Sequence, residues 1–129
     1  MPTSAPITFG TVRALGLELP GAEESTAYGS PALKVNGQMF ACMAVHKSAE
    51  ACTLAVRIPF DQRDELLAAA ADTYYLTDHY VDYPIVLVRL SRVHRDALRD
   101  LLRMAHRFVA TNRSMRRAPR RTNAAFPKP

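Results

Sequence analysis

The chain has 129 residues, of which 48% are apolar and 22% are charged, and it contains two cysteines and no tryptophan. This length is typical of a single domain with its own apolar core, and two cysteines are too few for a disulfide framework. No secretory leader and no apolar run of membrane-spanning length stands out, so we expect a cytoplasmic domain. Cys42 and Cys52 both fall in apolar runs and are predicted to be buried free thiols.

The net charge of +5 is unevenly distributed along the chain. Residues 113–129 hold six basic side chains and no acidic one, which leaves eleven basic and twelve acidic side chains in residues 1–112. We therefore expect a single near-neutral domain over 1–112 and a disordered basic tail over 113–129. The basicity of the whole chain does not by itself indicate a basic face on the domain.

The first half of the chain predicts one helix followed by antiparallel strands. Apolar residues at helical spacing predict the helix over 7–19, with Thr8 as its N-cap. Asn36-Gly37 is typical of a two-residue hairpin turn between two strands. Strands are predicted over residues 23–27, 32–35, 38–45 and 52–58. In the last of these, the alternation places Leu54, Val56 and Ile58 on one face together with Cys52, and Thr53, Ala55 and Arg57 on the other.

The second half alternates between helices and a further strand. The predicted elements are a helix over 59–71, an aromatic connection over 73–83, a strand over 85–90 and a long helix over 93–112. The whole pattern predicts an α+β fold, in which a curved antiparallel sheet of about five strands is flanked by helices.

Several short motifs, taken in their order, resemble the MmcQ/YjbR family of small bacterial proteins. The resemblance covers roughly residues 7–110. The motifs are Gly29-Ser30-Pro31, Lys34-Val35-Asn36-Gly37, His79-Tyr80, Tyr83-Pro84, the strand Val86-Leu87-Val88-Arg89-Leu90, and the helix positions Leu98, Leu101, Leu102 and Ala105.

The resemblance implies a fold similar to frataxin-like (CyaY) and secretion-chaperone-like domains. Members of the family are commonly labelled DNA-binding, through a double wing of hairpin loops, and the resemblance implies that activity here. Gln38 departs from the pattern, because many relatives carry Lys or Arg after the first hairpin turn. A wing built on this hairpin therefore lacks one positive charge.

The leading functional hypothesis is nonspecific or weakly specific DNA binding through phosphate contacts, with a regulatory or architectural role. Arginines at four-residue spacing in the last helix could extend this surface or form a solvated, salt-bridged face. Arg57 and Arg89 could instead form structural ion pairs with Glu23 or Glu24. The candidate contacts are Lys34, Asn36, Lys47, Arg57 and Arg89 on the sheet side, and Arg116, Arg117, Arg120 and Arg121 in the tail.

Two alternatives belong to other classes of function. A near-neutral domain of secretion-chaperone-like fold favours a protein or peptide partner. A small pocket is the other alternative, formed by Tyr28, Ser30, His79 and Tyr80. His79 has no nucleophile or carboxylate motif beside it, and the cysteines and histidines form no recognised metal-ligand pattern. We therefore expect no catalytic site, no metal site and no cofactor.

Overall fold

The computed structural model describes residues 7–27, 29–44 and 49–111. These residues form three helices and six strands, with the bounds α1 Phe9–Gly16, β1 Ala22–Ala27, β2 Ser30–Val35, β3 Gln38–Met43, β4 Thr53–Arg57, α2 Phe60–Ala69, β5 Tyr74–Tyr75, β6 Ile85–Arg89 and α3 Arg95–Thr111.

All six strands belong to one antiparallel sheet with the order β1-β2-β3-β4-β6-β5. The predicted α+β fold is therefore confirmed, with one more strand than the five that the sequence indicates. The additional strand is β5, which has only two residues and pairs with β6 inside the predicted aromatic connection. Two residues are too few for an alternation pattern to reveal a strand.

The hairpin between β2 and β3 has the predicted turn. Asn36 and Gly37 both adopt positive φ, at 54° and 77°, as a two-residue turn of the primed type requires. The register between the two strands shifts between Leu33 and Lys34. This β-bulge turns Phe40 towards the main core and increases the local bend of the sheet.

One face of the sheet carries the main core. Leu54, Val56 and Ile58 of β4 lie on this face, as their alternation predicts, and all three are fully buried. α3 packs against β3 and β4, and α1 packs against β2 and α3. α3 begins with exposed residues and buries one stripe, which consists of Leu98, Leu101, Leu102, Ala105 and Val109.

The opposite face is covered by residues 76–84, which are mostly without regular structure. Tyr80 of this segment is 4% exposed and packs with Ala55, Ile85 and Leu87 in a second apolar cluster. Arg63 of α2 fastens the segment by donating hydrogen bonds to the backbone oxygens of two of its residues, Val81 and Tyr83, each at 2.9 Å.

Two sequence expectations about local structure are wrong. α1 ends at Gly16 instead of Leu19. Gly16 packs closely on the core, and a Cβ atom at this position would clash with Leu33. Cys42 is buried as expected, but Cys52 is exposed, because it precedes β4 in a turn with φ of 59°. Cys52 is apolar and fits the alternation of the strand, so the pattern placed it in the core. Alternation does not show where a strand begins, and β4 begins one residue later, at Thr53.

Replacing the Arg63 guanidinium is expected to destabilise the fold. Arg63→Met removes the donor of the Val81 oxygen and one of the two donors of the Tyr83 oxygen, which also accepts from the Ile85 N–H. We therefore expect the free energy of unfolding to fall by about 1–3 kcal/mol in urea denaturation. The matched control is Arg99→Met, since Arg99 is exposed and pairs only with Asp96 three residues before it. That control should change stability by no more than about 0.5 kcal/mol. Equal losses in the two variants would contradict the anchoring role of Arg63.

Candidate nucleic-acid interface

The first predicted wing is a short hairpin tip with little charge. Asn36 is exposed at the turn, and Lys34 is half-buried two residues before it. Lys34 lies directly across from Glu23 of β1 in the strand register, so the field of the lysine is partly offset. Gln38 is 9% exposed, so its side chain does not project from the tip. Lys47, the second lysine predicted to contact DNA from the sheet side, lies outside the described residues.

Arg57 is buried and does not offer its guanidinium to a phosphate at the surface. It is 2% exposed and donates a hydrogen bond to the backbone oxygen of Met39 at 2.9 Å. Burial lowers the pKa of Arg57 to about 10, while the neighbouring Cys42 acts in the opposite direction. Burial also raises the pKa of the Cys42 thiol to about 12, against the opposing charge of Arg57. Arg57 therefore does not belong to the candidate nucleic-acid surface.

Arg89 is held in a polar cluster at the β5 edge of the sheet. It donates two hydrogen bonds to the Glu50 carboxylate, at 2.9 and 2.8 Å, and it also donates to the backbone oxygens of Ala71 and Asp72. Its guanidinium lies 4.3 Å from the ring centre of Tyr75. The ion pair predicted for Arg89 therefore exists, but with Glu50 and not with Glu23 or Glu24. Its five donors are largely occupied.

The predicted pocket is only partly described. Tyr28 lies outside the described residues, whereas Ser30 and Tyr80 are buried and His79 is half-buried. The His79 and Tyr80 rings meet edge to face with 5.0 Å between their centres. Since the Tyr80 ring belongs to the second apolar cluster, its contacts are those of a core residue. The geometry therefore gives Tyr80 a packing role on the covered face of the sheet.

The exposed cations of the domain are concentrated on α3. We call Arg95, Arg99, Arg103 and Arg107 the arginine ridge. Its members are spaced four residues apart, all are exposed, and the ridge extends about 18 Å along the helix axis. Arg99 pairs with Asp96 at 2.8 Å. In the part of the chain that the structure describes, the other three have no carboxylate within 4.0 Å. The tail arginines Arg116, Arg117, Arg120 and Arg121 lie outside the described residues.

A groove of about 380 Å³ separates the start of α2 from the second half of α3. We call it the α2–α3 groove. Two of the ridge arginines, Arg103 and Arg107, border it, and Met104 and Phe108 supply apolar surface. The remaining lining residues are Pro59, Gln62, Asp100 and Thr111. The sequence does not indicate this groove, because it forms where two helices separated along the chain approach each other.

Residues 7–27, 29–44 and 49–111 contain neither a metal-binding cluster nor a membrane-spanning helix. No group of three or more His, Cys, Asp or Glu side chains in these ranges could hold a metal ion. No helix within them is long and apolar enough to cross a membrane.

The order of the elements and the motifs they carry agree with one known family. Residues 17–108, more than half of the chain, match the family model described as YjbR. The chain belongs to the YjbR family. The resemblance to MmcQ/YjbR proteins that the motifs indicate is therefore confirmed.

A solved structure shows the same fold as this YjbR-family chain. It is the crystal structure of Deinococcus radiodurans protein DR2400, which carries the domain DUF419. The TM-score is 0.69 at 21% sequence identity, over 85% of this chain and 84% of that chain. Comparison with curated proteins gives no match.

The ion pair at the sheet edge is expected to make stability depend on pH. Hydrogen bonding from Arg89 lowers the pKa of Glu50 below its ordinary value of 4.5. A carboxylate with a lowered folded-state pKa stabilises the fold above its unfolded pKa, and this contribution is lost as the pH falls below that value. Glu50→Gln should therefore lower the thermal midpoint at pH 7 relative to the unsubstituted chain, and the gap should close below about pH 4.5.

The control for this measurement is Glu18→Gln, which removes an exposed carboxylate that has no ion pair with a described residue. Its thermal midpoint should follow that of the unsubstituted chain across the same pH range. A gap for Glu50→Gln that stays constant or widens in acid would contradict the role of the ionised pair.

Proposed function

We propose that this YjbR-family protein binds nucleic acid through phosphate contacts, without strong sequence preference. The observation that carries the proposal is the arginine ridge of α3, where three of four exposed guanidinium groups have no carboxylate partner among the described residues. Unpaired guanidinium groups in a row can each contact phosphate oxygens, and such contacts do not read the base sequence.

The distribution of charge along the chain supports the same surface. Residues 1–94 contain seven basic and ten acidic side chains, a net charge of −3, whereas residues 95–129 contain ten basic and two acidic side chains, a net charge of +8. The charge is therefore polarised along the sequence, and a polyanion is attracted to the segment that contains α3 and the residues after it. The ridge and the tail are joined directly in sequence, so they can contact one continuous backbone.

The sheet side has a smaller part in this proposal than the sequence predicts. Arg57 is buried and Arg89 is engaged by Glu50, so Lys34 and Asn36 are the described sheet-side candidates that keep accessible polar groups. Of these two, only Lys34 carries a positive charge, so the described part of the double wing would release few counterions and bind weakly. We assign the protein a binding role and no chemical step. We place it in the cytoplasm, because its two cysteines are free thiols, which a reducing compartment favours.

Removing an unpaired ridge arginine is expected to weaken binding more than removing a paired one. We expect Arg103→Gln and Arg107→Gln each to weaken binding of a labelled duplex several-fold in fluorescence anisotropy. The slope of log affinity against log salt should also become shallower by roughly 0.9 for each phosphate that is no longer neutralised. Arg99→Gln removes the same charge from the same helix, but Asp96 already pairs with that guanidinium, so its effect should be smaller. Equal effects at all three positions would indicate a net-charge effect without a defined ridge.

The tail is expected to contribute most of the salt dependence. The full-length variant in which Arg116, Arg117, Arg120 and Arg121 are all replaced by glutamine should bind duplex at least ten-fold more weakly at low salt, with a much shallower salt slope. Unchanged affinity in this variant would place the interface on the domain alone. If neither this variant nor the unsubstituted chain binds at low salt, the proposal fails and a protein partner becomes the better hypothesis.

A further inference from the structure

We propose that the α2–α3 groove receives one unpaired nucleotide, so that the protein prefers single-stranded to duplex nucleic acid. This inference rests on the proposed function and specifies its substrate class. The groove volume of about 380 Å³ lies at the lower end of the range of about 300–1,000 Å³ for small-molecule sites. It therefore suits one compact ligand unit and not an extended peptide.

The chemistry of the lining selects the kind of unit. The Arg103 and Arg107 guanidinium groups at its border attract an anion, while Asp100 in the same lining opposes one. A simple anion such as a fatty acid gains from the arginines and loses from the carboxylate. A nucleotide satisfies both, because its phosphate suits guanidinium groups and its base edge carries donors for a carboxylate.

The remaining lining residues fit a base. Phe108 offers a half-buried aromatic ring and Met104 an apolar surface beside it, and bases stack on aromatic rings regardless of sequence. The Gln62 amide can both donate to and accept from a base edge. The side chains of Gln62 and Asp100 make no hydrogen bond or ion pair with any other described residue, so both are available. The Thr111 hydroxyl is occupied, since it donates to the backbone oxygen of Arg107.

The position of the groove connects it to the arginine ridge. Asp100, Arg103, Met104, Arg107 and Phe108 are spaced three and four residues apart, so they share one side of α3. A strand whose phosphates follow the ridge therefore passes the mouth of the groove. In a duplex the bases are paired and stacked inside the helix, and a base can enter the groove only if the free energy of flipping it out is supplied. The groove therefore gives an advantage to single strands alone.

The test compares a labelled oligothymidylate of about 20 nucleotides, longer than the site of one small binding domain, with a mixed-sequence duplex of the same length. The full chain should bind the single strand more tightly. Phe108→Leu keeps an apolar side chain and removes the ring, and it should weaken single-strand binding about five-fold or more, the loss expected for one stacking contact. Duplex binding should change less than about two-fold. Gln62→Ala, at a half-buried site on α2, should also weaken the single strand selectively.

The matched control is Phe9→Leu. Phe9 and Phe108 are both partly buried and both pack on the main core, but Phe9 does not line the groove. Phe9→Leu should leave both affinities unchanged. Circular dichroism and the thermal midpoint check that each variant folds, and Gln62→Ala keeps the test decisive if Phe108→Leu does not fold.

The outcomes separate this inference from the proposed function. Equal binding of single strand and duplex by the unsubstituted chain would overturn the inference and leave nucleic-acid binding in place. Phe108→Leu and Gln62→Ala variants that both behave like Phe9→Leu would do the same. In a competition experiment, thymidine monophosphate is compared with unlabelled oligothymidylate at the same concentration of nucleotide units. If the two displace the labelled strand equally well, the groove is a site for a free nucleotide and the inference is overturned. Binding of neither nucleic acid would overturn both proposals.

Discussion

The structure depends on covering both faces of β4, because all five residues of this central strand are buried. If either face were left uncovered, its large apolar side chains would be exposed to water. The free energy of folding would then lose roughly 1.5–3 kcal/mol for each such side chain. α1 and α3 cover one face as amphipathic helices. Residues 76–84 cover the other with little regular structure, and this segment is fixed by Tyr80 within the apolar cluster and by the Arg63 guanidinium.

This two-sided burial also decides which cations face solvent. Strand alternation places Arg57 on the other face of β4 from Leu54 and Val56. Residues 76–84 cover that face, so Arg57 is enclosed. Arg89 continues the same face at the strand end, where Glu50 and Tyr75 surround its guanidinium. Guanidinium groups in such positions make their contacts within the fold and are not presented to a ligand. The arginine ridge lies outside both clusters, because it occupies the side of α3 that faces away from the sheet.

The α2–α3 groove follows from the different parts that the two helices play. α3 buries a continuous apolar stripe against the sheet, whereas α2 is short and contributes only partly buried residues such as Leu66 and Leu67 to the main core. Their limited contact leaves Phe108 half-covered beside Gln62. α3 thus supplies both the apolar surface and the arginines of the groove, and the start of α2 forms the opposite wall with Pro59 and Gln62.

The sequence by itself determined the elements whose signals are local. Strand alternation in β4, the Asn36-Gly37 turn, the apolar stripe of α3 and the motifs of the YjbR family all follow from residue types at fixed spacing. It also identified the arginines of α3, but not which of them are paired. Only the tertiary structure decided that Arg57 is enclosed, that Arg89 meets Glu50 thirty-nine residues away, and that Gln62 and Phe108 share a groove. These outcomes depend on contacts between distant segments, and spacing along the chain carries no information about them.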